Sequence, residues 1–167
     1  MVEQLITAMK EVFGDDARRI NHALAVLNHA RQIMKEEQNV DSGVVVAAAV
    51  LHDIGIHEAE KKYGSSAGAY QEKEGPPIAE PIMKKIGMGE ERVEHVKKII
   101  ANHHSARDID TREFRILWDS DWLVNIPDEY PDMDKATLTR KIEKIFKTEA
   151  GKRMAYEMFI PGNALQT

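Results

Sequence analysis

The sequence places an imidazole beside a carboxylate at the end of a strongly apolar segment. His52 and Asp53 directly follow residues 44–51, which are all valine, alanine or leucine. A segment this apolar is expected to be buried, and burying an unpaired charge beside it is unfavourable. A divalent cation bound by both side chains would compensate for the unfavourable burial of the charge. Neighbouring helical residues point about 100° apart, so the pair can share one ion only near a helix end, which Gly55 favours.

Other imidazoles and carboxylates occur in predicted helices: His22 and His29, Asp119 and Asp121, and the pair His103–His104. The two histidines that are seven residues apart share one helix face. The segment 114–124 around the two aspartates is rich in large apolar residues, so a carboxylate there is not expected to face bulk water. The residues alone leave open which histidine and which aspartate of these pairs would bind a metal.

The composition limits the chemistry. The 167-residue chain contains no cysteine, so disulfides, thiolate ligands and cysteine nucleophiles are excluded. Any metal must be held by imidazole and carboxylate, a donor set that suits Mn, Fe, Co, Ni or Zn. The formal net charge of -5 argues against an electrostatic nucleic-acid binder, so no nucleic-acid polymer is expected as a partner.

Helical periodicity dominates the whole sequence and predicts one all-α domain of seven or eight helices. The predicted helices cover 2–13, 17–38, 44–53, 75–86, 90–104, 111–126, 134–147 and 148–159, with a short candidate at 58–63. Residues 64–68, rich in glycine and serine, are predicted to form a flexible loop and the candidate lid. Pro76 and Pro77 predict a helix start, and Pro127 predicts a helix end.

The sequence favours a cytoplasmic location. The first residues are acidic and lead into no apolar region of the kind found in signal peptides. The apolar run 44–51 is far shorter than a membrane span. We therefore expect no membrane partner. A homodimer stays open, because the terminal helices could supply an apolar face.

The order of these residues resembles the HD superfamily of metal-dependent phosphohydrolases. In that family a first His, a His-Asp doublet and a distant Asp bind a divalent metal. The segment 51–55, Leu-His-Asp-Ile-Gly, matches the usual context of the doublet. The resemblance implies that the metal ligands are His22, His52, Asp53 and Asp121.

Local context selects the first and last ligands within this resemblance. His22 fits better than His29 because Val26 and Ala30 follow it at the family's spacing. Asp121 fits better than Asp119 because an apolar pair, 122–123, directly follows it. The resemblance covers 18–126 within a single domain of 1–167. The remainder, 127–167, is predicted to form C-terminal helices packed on that HD-like core.

The sequence departs from the family pattern at three places. Family members with two metals carry a histidine before the glycine of the middle helix, but residues 70–74 contain none, so one metal is expected. The Gly-Tyr-Pro signature of the cyclic-dinucleotide branch is missing after residues 103–104. His57 stands where many members have lysine, which removes one phosphate-binding cation.

The resemblance implies hydrolysis of a small phosphate ester, such as a nucleotide, by a metal-activated water. Glu58 is the candidate to orient that water, and His103 or His104 could protonate the leaving oxygen or contact the phosphate. The candidate cations for binding the phosphate are Arg18, Arg19 and, more weakly, Lys61.

Two other functions stay open at this point. One is a metal-binding, ligand-sensing or regulatory module without catalysis. The other is oxidative chemistry at two irons, which the missing histidine near Gln71 disfavours.

Overall fold

Nine helices account for the regular structure of residues 1–162, the part of the chain that this computed structural model describes. They are α1 (Val2–Phe13), α2 (Ala17–Met34), α3 (Ser42–Leu51), α4 (Ile56–Tyr63), α5 (Gly68–Ile86), α6 (Glu90–Ile100), α7 (Arg112–Glu129), α8 (Lys135–Ile145) and α9 (Glu149–Phe159). No strand occurs within these residues, which confirms the all-α prediction. Eight of them correspond to the predicted helices, and the ninth, α4, corresponds to the short candidate at 58–63.

The apolar helix α3 is the centre of the fold. Every residue from Gly43 to Leu51 is buried. The carboxylate of Asp41 begins the helix by accepting hydrogen bonds from the backbone amides of Gly43 and Val44, at 3.0 and 3.3 Å. Helices α1, α2, α6 and α7 pack around α3, and α2 also packs along α7. A helix that is apolar all round is stable only inside such a shell.

The helix that contains Pro76 and Pro77 begins earlier than the sequence predicted. Helix α5 begins at Gly68 instead of residue 75 and contains Pro76 and Pro77 in its interior. The expected lid over 64–68 is therefore reduced to a short connection between α4 and α5. Hydrogen bonds hold the first turns of α5: Gln71 Nε2 donates to the carbonyl of Ser66, and Glu72 accepts from the backbone beyond α6. The first of these contacts is local and the second is tertiary, and together they support helix before the prolines.

Two further helix ends differ from the prediction. Helix α7 continues past Pro127 to Glu129, with this proline inside its last turn. Helix α6 ends at Ile100, so His103 and His104 lie in the turn that follows it. Both differences affect the residues around the site described below.

The segment Ser42–Tyr63, which spans α3, the turn after it and α4, is long and apolar enough to cross a membrane by length and composition. However, 83% of its most apolar window is buried inside the fold. Such burial is typical of the core helix of a soluble protein.

The C-terminal helices pack through α9, which contacts α7 and α8. A buried carboxylate fixes this contact: Asp119 Oδ1 accepts from the amide of Lys147 at 2.8 Å, and its Oδ2 accepts from the amide and hydroxyl of Thr148 at 2.8 and 2.7 Å. Thr148 in turn caps α9 through Gly151. The last five residues of the predicted C-terminal region, 163–167, lie outside the described residues.

Candidate metal centre

Four side chains from three helical segments converge at one point. His22 comes from the middle of α2, His52 and Asp53 from the turn that ends α3, and Asp121 from the middle of α7. Because α2 and α7 pack on each other and on α3, residues almost 100 positions apart in sequence become neighbours. The fold therefore brings together the four residues for which the family resemblance implied metal ligation.

The spacing of the four donor atoms fits ligands around a single cation. His22 Nε2 lies 3.2 Å from His52 Nε2, 3.3 Å from Asp53 Oδ2 and 3.0 Å from Asp121 Oδ1. His52 Nε2 lies 3.4 and 3.3 Å from the same two carboxylate oxygens. Adjacent ligands with metal bonds of about 2.1 Å lie about 3.0 Å apart in octahedral and about 3.4 Å apart in tetrahedral coordination. The residues present could therefore hold one divalent ion.

The geometry of these groups suits metal binding. His52 Nδ1–H donates to the carbonyl of Ala49 at 2.9 Å, which turns Nε2 towards the other three donors. Without a metal, burial lowers the pKa of His52, but the charges of Asp53 and Asp121 outweigh burial and raise this pKa to about 10, so a bound cation would displace the proton on Nε2. Burial raises the pKa of the Asp53 and Asp121 carboxyls, but the surrounding imidazoles more than offset this and hold both pKa values below the usual 3.8. Both carboxyls are therefore anionic at neutral pH.

His103 lies on the far side of Asp53 from His22. Its Nδ1–H donates to the carbonyl of Ile100 at 2.7 Å, and its Nε2 lies 3.3 Å from Asp53 Oδ1. This nitrogen is buried and has no hydrogen-bond partner of acceptable geometry in the described structure. A buried, unpartnered nitrogen beside a carboxylate is placed to hold a proton or to contact a bound molecule.

The two alternatives from the sequence lie elsewhere. Asp119 fixes α9, as described above, and has no contact with the four converging side chains among its hydrogen bonds. His29 is half-buried, its Nδ1 has no partner within the described residues, and burial lowers its pKa. Arg115, a cation on the same helix as Asp121, does not compete for that carboxylate, because its guanidinium binds Asp110 at 2.6 and 2.8 Å.

A cavity of about 430 Å³ opens beside the converging side chains, three of which, His22, Asp53 and Asp121, form part of its wall. The wall also contains Arg18, Arg19, Gln71, His104, Asp128 and Glu129. The predicted phosphate-binding arginines are thus beside the candidate metal centre. Lys61 and Glu58 are not part of this wall, and Glu58 instead lies 3.7 Å from Lys62. Both belong to α4 and lie outside the cavity.

Two buried polar residues of α5, Gln71 and Glu72, have roles that were not predicted from the sequence. Gln71 Oε1 accepts from His104 Nε2 at 3.0 Å, which orients that imidazole at the cavity. Glu72 Oε2 accepts from the amide of His104 and from the amide and hydroxyl of Ser105, at 2.8–3.0 Å. These bonds fix the turn that carries His103. The sequence held one signal, since two adjacent polar residues replace the family's histidine there.

Periodicity could have identified part of the cavity wall. Asp121 and Asp128 are seven residues apart on α7, and Arg18 and His22 are four apart on α2, so each pair shares a helix face. The prediction that Pro127 ends the helix removed Asp128 and Glu129 from consideration.

Comparison with known families agrees with this geometry. The HD domain family matches residues 19–126, which is more than half of the chain. The chain belongs to the HD domain family, whose members are typically metal-dependent hydrolases. No curated protein matches the chain. No solved structure matches it either.

Proposed function

We propose that this protein is a metal-dependent phosphohydrolase that acts on a small phosphate ester, such as a nucleotide, through a metal-activated water. The observation that carries the proposal is the position of His22 Nε2 and His52 Nε2, which lie 3.2 Å apart and each 3.0–3.4 Å from carboxylate oxygens of Asp53 and Asp121, beside a cavity that also presents arginines. A divalent cation there would supply Lewis acidity to both a water and a phosphoryl oxygen.

The chain's own residues supply binding and proton transfer in this proposal. The guanidinium groups of Arg18 and Arg19 bind non-bridging phosphate oxygens, for which their planar donor geometry is suited. His103 is buried beside Asp53 and is not part of the cavity wall; in this proposal it holds a proton at Nε2, 3.3 Å from Asp53 Oδ1, and gives it to a leaving oxygen bound next to Asp53. His104, oriented by Gln71, contacts the phosphate from the cavity wall. Glu58 and Lys61 lie on α4 outside the wall, and within the described residues neither has a hydrogen bond or ion pair with the four converging side chains, so the proposal gives them no contact with substrate.

Metal content is the first test of the proposal. Purified protein without an affinity tag is loaded in turn with Mn, Fe, Co, Ni and Zn, desalted and analysed by mass spectrometry, beside Asp121→Asn and the control Asp132→Asn. We expect about one ion per wild-type chain and per control chain, and none in Asp121→Asn. An ion retained equally by all three proteins would contradict the proposed centre.

Turnover separates the enzyme from a sensing module that binds metal without catalysis. The metal-loaded protein is assayed with p-nitrophenyl phosphate and with a panel of nucleotides and sugar phosphates. We expect hydrolysis that depends on the metal and disappears in Asp121→Asn. A protein that binds the ion but hydrolyses none of these esters would support the regulatory module. The proposal also keeps the cytoplasmic location and the absence of membrane and nucleic-acid partners expected from the sequence.

A further inference from the structure

The wall of the cavity contains few positively charged side chains. Among the residues of the wall, Arg18 and Arg19 carry the positive charge, and there is no lysine. Besides the two carboxylates of the candidate metal centre, the wall contains Asp128 and Glu129. A divalent ion would balance the carboxylates of the centre, which leaves two guanidinium groups facing two further carboxylates. The cavity therefore has little positive charge to spare for a polyphosphate.

The two additional carboxylates are available to a ligand. Asp128 and Glu129 are exposed, and within residues 1–162 neither forms an ion pair with a lysine or arginine. Asp128 lies two helical turns beyond Asp121 on the same face of α7, about 10 Å along the helix axis. A substrate with its phosphate near Asp121 and the rest of the molecule along α7 would therefore reach Asp128.

The side chains between these two positions favour hydroxyl groups. Asn125 stands on α7 between Asp121 and Asp128, and Asn21 stands beside His22 on α2. Both line the cavity. Amide and carboxylate oxygens accept hydrogen bonds from alcohol hydroxyls, whereas a second phosphate would bring its negative charge against Asp128. The size of the cavity, about 430 Å³, lies in the usual range for small-molecule sites.

We infer that the substrate is a monophosphate ester of a hydroxyl-bearing alcohol, such as a sugar or a nucleoside, and that Asp128 and Glu129 exclude diphosphates and triphosphates. This inference rests on the proposed phosphohydrolase function and adds the substrate class. It assigns to the last turn of α7 the selection between one phosphate and several.

The test compares AMP, ADP and ATP as substrates of the metal-loaded protein, with the divalent ion in excess over nucleotide. We expect kcat/KM for AMP to exceed that for ATP at least tenfold. In the double variant Asp128→Asn/Glu129→Gln, the ratio of kcat/KM for AMP to kcat/KM for ATP should fall at least threefold. Asp132→Asn, which removes a nearby carboxylate outside the cavity wall, should keep the wild-type ratio. Circular dichroism and thermal unfolding check that the variants fold.

A second readout avoids the chemical step of the nucleotides. Inorganic phosphate and pyrophosphate are compared as inhibitors of p-nitrophenyl phosphate hydrolysis. The inhibition constant of phosphate should be lower than that of pyrophosphate in the wild type. In the double variant the two inhibition constants should be closer to each other.

The outcomes separate this inference from the proposed function. Hydrolysis of ATP or ADP as efficient as that of AMP, or a ratio unchanged in the double variant, would overturn the substrate class while the phosphohydrolase function stands. If the metal-loaded protein hydrolyses none of these esters, including p-nitrophenyl phosphate, the proposed function fails and the inference fails with it.

Discussion

At the scale of single residues, the candidate centre depends on how each imidazole is fixed. His52 and His103 both donate from Nδ1 to a backbone carbonyl three residues earlier, Ala49 and Ile100 respectively. Each therefore presents Nε2 towards Asp53, one on either side of the carboxylate. This shared arrangement allows His52 to act as a metal ligand while His103 transfers a proton.

The proposed role of His103 can be separated from metal binding. His103→Gln keeps a side chain that can hydrogen-bond but cannot transfer a proton, so kcat should fall about 10²–10⁴-fold. The metal content should stay at the wild-type value. His95→Gln, on the outer part of α6, serves as the control and should keep full activity. Unchanged kcat in His103→Gln would refute the proton-transfer role.

Asp119 has a structural role that its neighbour Asp121 does not share. Asp119→Asn would place an amide NH₂ against a backbone N–H or the Thr148 hydroxyl, because both carboxylate oxygens of Asp119 accept hydrogen bonds. We expect the free energy of unfolding to fall by about 1–3 kcal/mol. Urea unfolding measures it, with Asp110→Asn as an exposed control. Equal stability of Asp119→Asn and wild type would contradict this role.

The free energy of unfolding should depend on pH differently in the wild type and in Asp119→Asn. Burial raises the pKa of Asp119 from 3.8 to about 6, although the hydrogen bonds from Thr148 and Lys147 oppose the shift. The folded carboxyl thus takes up its proton at a higher pH than the unfolded one. Its contribution to stability is fully present below pH 3.8 and is lost as the pH rises through 6. The difference in unfolding free energy between wild type and Asp119→Asn should therefore grow from pH 7 to pH 4, and a constant difference would argue against a raised pKa.

At the scale of elements, the turn after α3 is held by a close backbone contact. A Cβ on Gly55 would lie 2.6 Å from the backbone nitrogen of Gly75, inside α5. A Cβ on Gly75 would lie 2.6 Å from Ile100 Cγ2. The two glycines let α4, α5 and α6 approach closely enough for Asp53 and His103 to meet. Their role here is the absence of a side chain, since neither has a positive φ.

This contact predicts that Gly55→Ala is destabilising. The neighbouring atoms are backbone and cannot move aside, so the free energy of unfolding should fall by about 1–3 kcal/mol. Metal affinity should fall as well, because Asp53 is two residues away. Gly89→Ala is the matched control: nothing lies within 4 Å of its Cβ position, and the change should be below about 1 kcal/mol. Similar stability losses in both variants would contradict this explanation.

At the scale of the whole molecule, the candidate centre connects three packed segments that are far apart in sequence. An ion bound by the side chains of α2, α7 and the turn after α3 would bind the folded chain and not the unfolded one. At a free metal concentration of about 100 times Kd, this adds about 2.7 kcal/mol to the free energy of unfolding. For a chain of this size, that corresponds to an increase in Tm of about 5–10 °C.

Thermal unfolding with and without a chelator measures this stabilisation. The wild type should lose the increase in Tm when the metal is removed and regain it on addition of the metal. Asp121→Asn should show no metal-dependent change. An equal increase in the variant would mean that the ion binds at another place, such as the acidic group Glu80, Glu90 and Glu94.

Local patterns in the sequence predicted much of this protein. Helical periodicity predicted the all-α fold, and the apolar run before His52 predicted the buried helix at its centre. The resemblance to the HD family ranked His22 over His29 and Asp121 over Asp119, and the fold brings the favoured residues together. These features depend on residue type and spacing along one element, which a sequence displays directly.

Only the tertiary structure decided the rest, because contacts between distant elements outweigh local preference. The prolines of α5 and α7 are strong local signals for a helix boundary, yet both helices continue through them. The placement of Arg19 in the cavity wall, and of Lys61 outside it, depends on how whole helices cross. The sequence by itself determined which side chains could do chemistry, and the packing of α2, α3 and α7 determined which of them meet.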